Sequence, residues 1–222
     1  MTATATLAID MVSDVVCPWC YVGKRLLELA IAAKPEIPAE VRFQPYFLNP
    51  WVPREGMSRE DYLIAKFGSV ERYNSRNDAV AQAAASLGLP YARDRIKRQP
   101  NTLDCHRLIL WAGEGGRAAD MKQRLMTLYF AEGGDLTDRE VLVRAAVECG
   151  MHAEEVRARL ASDADAELVA GEAQAAQESG IDGVPCFIFG GMVAVSGARP
   201  PEHLAAAMER AAAELARRVA AE

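Results

Sequence analysis

Leu7-Ala8-Ile9-Asp10-Met11-Val12-Ser13-Asp14-Val15-Val16-Cys17-Pro18-Trp19-Cys20-Tyr21-Val22-Gly23-Lys24 passes from one backbone periodicity to another. Leu7 to Val12 is a short apolar run that reads as a buried strand. Ser13 and Asp14 break it. From Tyr21 to Ala33 the apolar residues Val22, Leu26, Leu29 and Ala30 recur at helical spacing. Pro18 stands just inside the helix start, where a missing N–H costs least. Two cysteines, three positions apart, therefore sit where a strand hands over to a helix.

Outward from this junction the order becomes legible. Pro35 and Pro38 end the helix, and Val41 to Gln44 alternates as a second strand, running on to Phe47 and Leu48. A crossover of that length implies parallel strands. The next hundred residues, 55 to 160, read as helices without a convincing strand. Ser58-Arg59-Glu60-Asp61 and Thr137-Asp138-Arg139-Glu140 resemble capping boxes. Asp78–Leu87, Cys105–Gly113 and Ala119–Phe130 are the expected helices between them, and Asp163 to Ser179 continues in kind. Near the end, Cys186 to Phe189 and Met192 to Val195 flank Gly190-Gly191, an antiparallel hairpin signal. Pro201 opens a last helix.

Half of the 222 residues are hydrophobic and a quarter are charged, which suits a soluble globular chain. The net charge of −6 and the lack of a basic cluster exclude nucleic acid as the expected partner. Arg93 to Arg98 reads as solvated helix surface. No apolar run reaches the roughly 20 residues that span a bilayer, and the first residues lack the charged and apolar segments of a signal peptide. A cytoplasmic protein is expected, as a monomer or a homodimer.

The five cysteines are Cys17, Cys20, Cys105, Cys149 and Cys186. An odd number in a chain of this size argues against a disulfide framework. A thiolate attacks disulfides, and the unpaired N–H groups of a helix start favour that form. Cys17 takes this position. Cys20, one turn on, can close the ring as the resolving thiol. A C-x-x-C pair also marks half of a zinc site, but structural zinc needs four ligands. No second pair or H-x3-H stands here, so no metal is expected. Gly183-Val184-Pro185-Cys186-Phe187 immediately precedes the late strand, and Val184-Pro185 is a candidate for a cis peptide beside the dithiol. The Val184 backbone would then pair with an extended substrate.

Together these residues resemble the DsbA family of the thioredoxin superfamily, in its FrnE-like branch. The resemblance is carried by Ser13 to Lys24, Leu48-Asn49-Pro50, Asn101-Thr102 with His106-Arg107, Gly183-Val184-Pro185 and Ser196-Gly197-Ala198. It implies an α/β thioredoxin fold with a mixed central sheet. Residues 1–54 and 161–222 would form that domain, and 55–160 an inserted all-helical one. It further implies dithiol–disulfide exchange on protein or small-thiol disulfides. Cys17 would be the nucleophile and Cys20 the resolver, with Pro18, Trp19, Val184 and Pro185 contacting substrate. No cofactor beyond the Cys17–Cys20 disulfide is implied. The alternative within the fold is a glutathione-dependent isomerase or transferase of the hydroxychromene-carboxylate type, acting on a hydrophobic metabolite, with glutathione as co-substrate. Relatives often bury an acid six positions before the first cysteine. Here that residue is Met11, with Asp10 and Asp14 expected to face elsewhere, so proton transfer to Cys20 needs water or another group.

Other candidates are auxiliary. Cys186 follows Pro185 and is either a third redox thiol or a buried strand residue pointing away from Cys17. His106 is either a groove-lining or a structural histidine. Cys105 and Cys149 read as packing, Lys24 as a solvated side chain, and Trp19 as an exposed substrate contact. Phe43, Tyr46, Phe47, Leu108, Trp111 and Phe130 read as core.

Overall fold

In a computed structural model, which describes residues 6–220, β1 (Leu7–Ser13) lies in a four-stranded mixed sheet. It pairs in parallel with β2 (Ala39–Pro45) across α1 (Pro18–Ala32). On its other side it pairs antiparallel with β5 (Cys186–Phe189), which turns into β6 (Val193–Ser196). The sheet order is β2-β1-β5-β6, and α9 (Pro201–Ala220) completes the unit. The sheet is therefore assembled from both ends of the chain, as a thioredoxin fold requires.

Strand alternation sorts the core. Leu7, Ile9 and Met11 are fully buried on the face that carries α1 and α9. On the opposite face Val12 and Cys186, partners in register, meet Tyr46 and Ala176 of α8 (Ala166–Glu178). Each large apolar side chain buried this way contributes about 1.5–3 kcal/mol. β2 stops at Pro45 instead of continuing to Leu48, because the Leu48 N–H turns to Asp14 Oδ2 (2.9 Å).

Between the halves lie α2 (Arg59–Phe67), α3 (Val70–Ser86), α4 (Leu103–Glu114), α5 (Ala118–Thr127), α6 (Arg139–Glu148) and α7 (Ala153–Ala161). This block does hold a short ribbon: β3 (Met57–Ser58) pairs antiparallel with β4 (Arg98–Gln99), too brief to show alternation in the sequence. α3 starts at Val70, earlier than expected, because the Ser69 side chain caps it at the Arg72 N–H. Asp138 rather than Thr137 caps α6, accepting from the Glu140 and Val141 amides, while Thr137 bonds Asp135. The segment expected to run as one helix to Phe130 ends at Thr127 and closes in a π-turn over Leu128–Glu132. α8 begins three residues late, after Asp165 adopts a positive φ of 59°. Arg93–Arg95 form a 3-10 turn and Arg98 a strand residue, not a helix face.

Arg107 on α4 is fully buried and clamps this block to the later chain. Its guanidinium donates to the carbonyls of Ala164, Arg159 and Ser162 at 2.7–2.8 Å and to Asp104, and it lies over the Trp111 ring. One hydrophobic cluster runs without a break from Leu7 and Ile9 through Leu108 and Leu125 to Phe187 and Met208. Phe43 and Phe47, expected in the core, are only half-buried.

Candidate active site

The geometry begins at the end of β1. The Cys17 N–H donates to the Asp14 carbonyl (3.2 Å), which folds Asp14 to Cys17 into a tight turn. Cys17 has extended φ and ψ and is the N-cap of α1, with Pro18 in the first turn. Its carbonyl accepts the N–H groups of Cys20 (3.0 Å) and Tyr21 (3.2 Å). Its side chain takes no part in capping, so the sulfur is left for chemistry. Both cysteines are free thiols; Cys17 is nearly buried and Cys20 completely so. Burial is the main cause that pushes the Cys20 thiol well above its ordinary pKa, reinforced by Cys17.

The late chain comes back to this point. Cys17 Sγ donates to the Val184 carbonyl at 3.6 Å, and the Val184–Pro185 peptide is cis. The Gly197 N–H holds the Pro185 carbonyl (2.8 Å). Gly23 makes the approach possible, since a Cβ there would stand 2.8 Å from Pro185 Cγ. A groove of about 290 Å³ runs beside the dithiol, lined by Trp19, Val184, Pro185, Gly197, Ala198 and Arg199. Trp19 is 38% exposed. Arg199, which sequence reasoning passed over, is anchored by Nε to the Ser196 carbonyl (3.1 Å).

Cys186 lies on the other face of the sheet, where it receives the Ser196 hydroxyl (3.9 Å). Alternation along β5 takes its side chain away from Cys17. Cys105 is packed in the main core. Cys149 is buried at the edge of a shallow depression beside Arg117 and Arg124. His106 does not line the dithiol groove. It lies at a separate cleft of about 480 Å³ between β2 and α4, α5 and α8. Its ring packs edge-on to Phe47, and Nε2 lies 3.4 Å from Asp14 Oδ1 in a long, poorly aligned contact.

Asp14 is fully buried, its carboxylate turned to the Leu48 N–H and His106. One expectation about charge is corrected here. Lys24 is not solvated. It is buried, pairing with Glu28 (2.5 Å) and Gln123 (2.9 Å), because α5 packs over that part of α1. The sequence reading also missed Lys122 of α5, which is fully buried and donates to the Ser13 carbonyl (3.3 Å). A lysine in an amphipathic helix ordinarily signals solvent, so the pattern alone could not find it. Lys66 is exposed, as such a pattern predicts, and bonds Asn49 (2.5 Å) where the exposed Trp51 stacks on the buried Tyr62.

Among the described residues, no group of three or more His, Cys, Asp or Glu is placed to hold a metal, and no helix is long and apolar enough to cross a membrane.

Comparison with solved structures extends these findings. A probable DsbA oxidoreductase, SCO1869 from Streptomyces coelicolor, is 36% identical, with a TM-score of 0.84 over 92% of this chain and 89% of that one. A 2-hydroxychromene-2-carboxylate isomerase shares the fold at 17% identity and a TM-score of 0.70, covering 96% and 98% of the two chains. The cytosolic disulfide reductase DsbM from Pseudomonas aeruginosa, in a structure with GSH, does so at 18% identity and 0.62, covering 96% and 98%. The model of the DSBA-like thioredoxin domain matches residues 8–209. The chain belongs to that family.

Proposed function

We propose that this family member is a thiol–disulfide oxidoreductase that exchanges electrons between Cys17/Cys20 and a protein or small-thiol disulfide. The observation that carries this reading is Cys17 Sγ at the cap of α1, 3.6 Å from the Val184 carbonyl across the cis-proline turn. A nucleophilic sulfur, a partner thiol one turn away and a groove for a substrate backbone meet at one point.

In this scheme the Cys17 thiolate attacks one sulfur of a substrate R–S–S–R′. A Cys17–S–R bond forms and R′–S⁻ leaves. Cys20 then attacks the Cys17 sulfur, the Cys17–Cys20 disulfide forms, and R–S⁻ leaves. The substrate gains two electrons and the dithiol loses two. Reversal of both steps oxidises a substrate dithiol. Pro18 and Trp19 on one wall and Val184 and Pro185 on the other contact the substrate, the exposed indole serving side chains near its cysteine. Glutathione is a suitable small-thiol partner, and five free cysteines fit a reducing, cytoplasmic setting.

Reduction of insulin by the wild-type chain, with dithiothreitol as the electron source, tests the proposal. Cys17→Ser is expected to abolish turnover. Cys20→Ser is expected to trap a mixed disulfide at Cys17 that is visible by mass. Unchanged insulin reduction by Cys17→Ser overturns the reading. Full turnover by Cys20→Ser with a glutathione-dependent isomerase substrate points instead to isomerase chemistry, for which a single thiol site suffices.

A further inference from the structure

Lys122 is an anomaly. Its side chain has no exposed surface, yet no carboxylate among the described residues lies within ion-pairing distance of it. Burying an ammonium without a partner costs several kcal/mol. Among the described residues its one acceptor is the Ser13 carbonyl, 3.3 Å away. That carbonyl ends β1 and opens the turn in which the Asp14 carbonyl holds the Cys17 N–H (3.2 Å) and the Cys17 carbonyl holds the Cys20 N–H (3.0 Å). The cation therefore sits at the base of the turn that carries both thiols.

The groups around Lys122 narrow its role. Asp14 already serves Leu48 N–H and faces His106. Lys24 of α1 is occupied by Glu28 and Gln123. From α4, His106 and Cys105 also face this cluster, His106 held neutral by burial and Cys105 held as a thiol by it. Cys17 and Cys20 are the remaining groups that can become anions here; burial holds the Lys122 ammonium below its ordinary pKa, and an anion at Cys20 raises it again. Met11, fully buried and apolar, offers no carboxylate base on the strand.

We propose that Lys122 is a positioning residue for the resolving step: a buried cation, delivered by the helical block to the base of the dithiol turn, that stabilises the Cys20 thiolate through space. This rests on the disulfide-exchange reading. In the mixed disulfide, Cys20 gives its proton to solvent and its thiolate attacks Cys17 Sγ. The Cys17–Cys20 bond forms, the bond from Cys17 to substrate sulfur breaks, and the departing thiolate takes a proton from solvent. Lys122 keeps its own proton throughout and supplies field only. The arrangement has the opposite sign to a buried acid, which would oppose the thiolate.

An aromatic disulfide, 5,5′-dithiobis(2-nitrobenzoate), separates the two steps in the full-length protein. The first thionitrobenzoate released reports attack by Cys17, and the second reports resolution by Cys20. Cys20→Ser sets the single-release baseline. Lys122→Met is expected to slow the second release about tenfold at neutral pH and to move its midpoint up by about one pH unit, since one unit is a tenfold change in thiolate. Lys122→Gln keeps a donor for Ser13 without the charge and must shift the midpoint in the same direction, while Lys122→Arg must restore it. If Lys122→Met does not fold, the Gln and Arg pair carries the test. A midpoint unmoved in a folded neutral variant, or moved equally by the Arg variant, overturns the proposal. Absence of any first release from the wild type overturns the disulfide-exchange reading itself.

Discussion

The pair Asp14 and His106 shows how a single buried contact sets the response of the molecule to acid. Burial is the largest influence on His106 and holds its pKa below the ordinary 6.5, outweighing the attraction of Asp14. Burial pushes Asp14 the other way, but the nearby His106 ring, the Leu48 amide and Lys122 together keep its carboxyl below 3.8. Both folded values are lower than the unfolded ones, so the signs agree. As pH falls below 6.5 the unfolded chain takes up a proton at His106 before the folded one does, and stability is lost. The contribution of Asp14 is intact above 3.8 and disappears as pH falls through its lowered folded value. Thermal melts from pH 7 to 5 are therefore expected to show a declining Tm in the wild type and a flatter profile in His106→Gln. A wild-type Tm that rises over this interval would mean that His106 is charged in the folded state.

At the scale of elements, the proposed exchange needs α1 to approach the cis-proline turn closely, and Gly23 sets that distance. Alanine in a helix is favoured over glycine by about 1 kcal/mol. A Cβ on Gly23, however, would lie 2.8 Å from Pro185 Cγ and 3.2 Å from Phe187 Cζ, and a proline ring cannot swing aside. Overpacking of this kind costs about 1–3 kcal/mol. Gly23→Ala is expected to lose stability by up to about 2 kcal/mol and to slow disulfide exchange as Val184 moves from Cys17. Gly171 on α8 is the matched control: a Cβ there meets nothing within 4 Å, so Gly171→Ala should gain about 0.5–1 kcal/mol in urea unfolding. Equal effects from the two changes would remove the packing argument. The same comparison explains what the sequence revealed. The β–α–β start, the Cys-x-x-Cys junction, the Val184-Pro185 turn and the Gly190-Gly191 hairpin each carry local signals of their own. The burial of Lys24, Lys122 and Asp14 depends on α4 and α5 meeting the end of β1 and the start of α1, and no local pattern encodes a contact between Lys122 and Ser13, 109 positions apart. Helix starts shifted for a related reason: the side chains of Ser69 and Asp138 choose the first turn, and apolar periodicity does not record that choice.

For the whole molecule, chain order and cooperativity give different divisions. By order we divide the chain into residues 1–54 with 161–222, and 55–160. The hydrophobic cluster ignores that division, joining β1, α4, α5, α6, β5 and α9 in one body. Arg107 adds a second tie, with bonds from α4 to the connection between α7 and α8. Neither part buries its apolar face alone, so separating them exposes core and leaves the Arg107 guanidinium without acceptors. The chain is therefore expected to unfold as one unit. Tryptophan placement makes this measurable: Trp19 reports the dithiol face, and Trp111 of α4 is buried where Arg107 and Arg159 flank its ring. With Trp51 replaced by Phe in each protein, Trp19→Phe leaves Trp111 as the fluorophore and Trp111→Phe leaves Trp19. Their urea transitions, after correction for each variant's own stability by far-UV circular dichroism, should coincide with one midpoint and one slope. A transition at Trp111 that precedes the loss of helix and leaves Trp19 unchanged would show that the helical block unfolds by itself, and would also detach Lys122 from Ser13 before the sheet is lost.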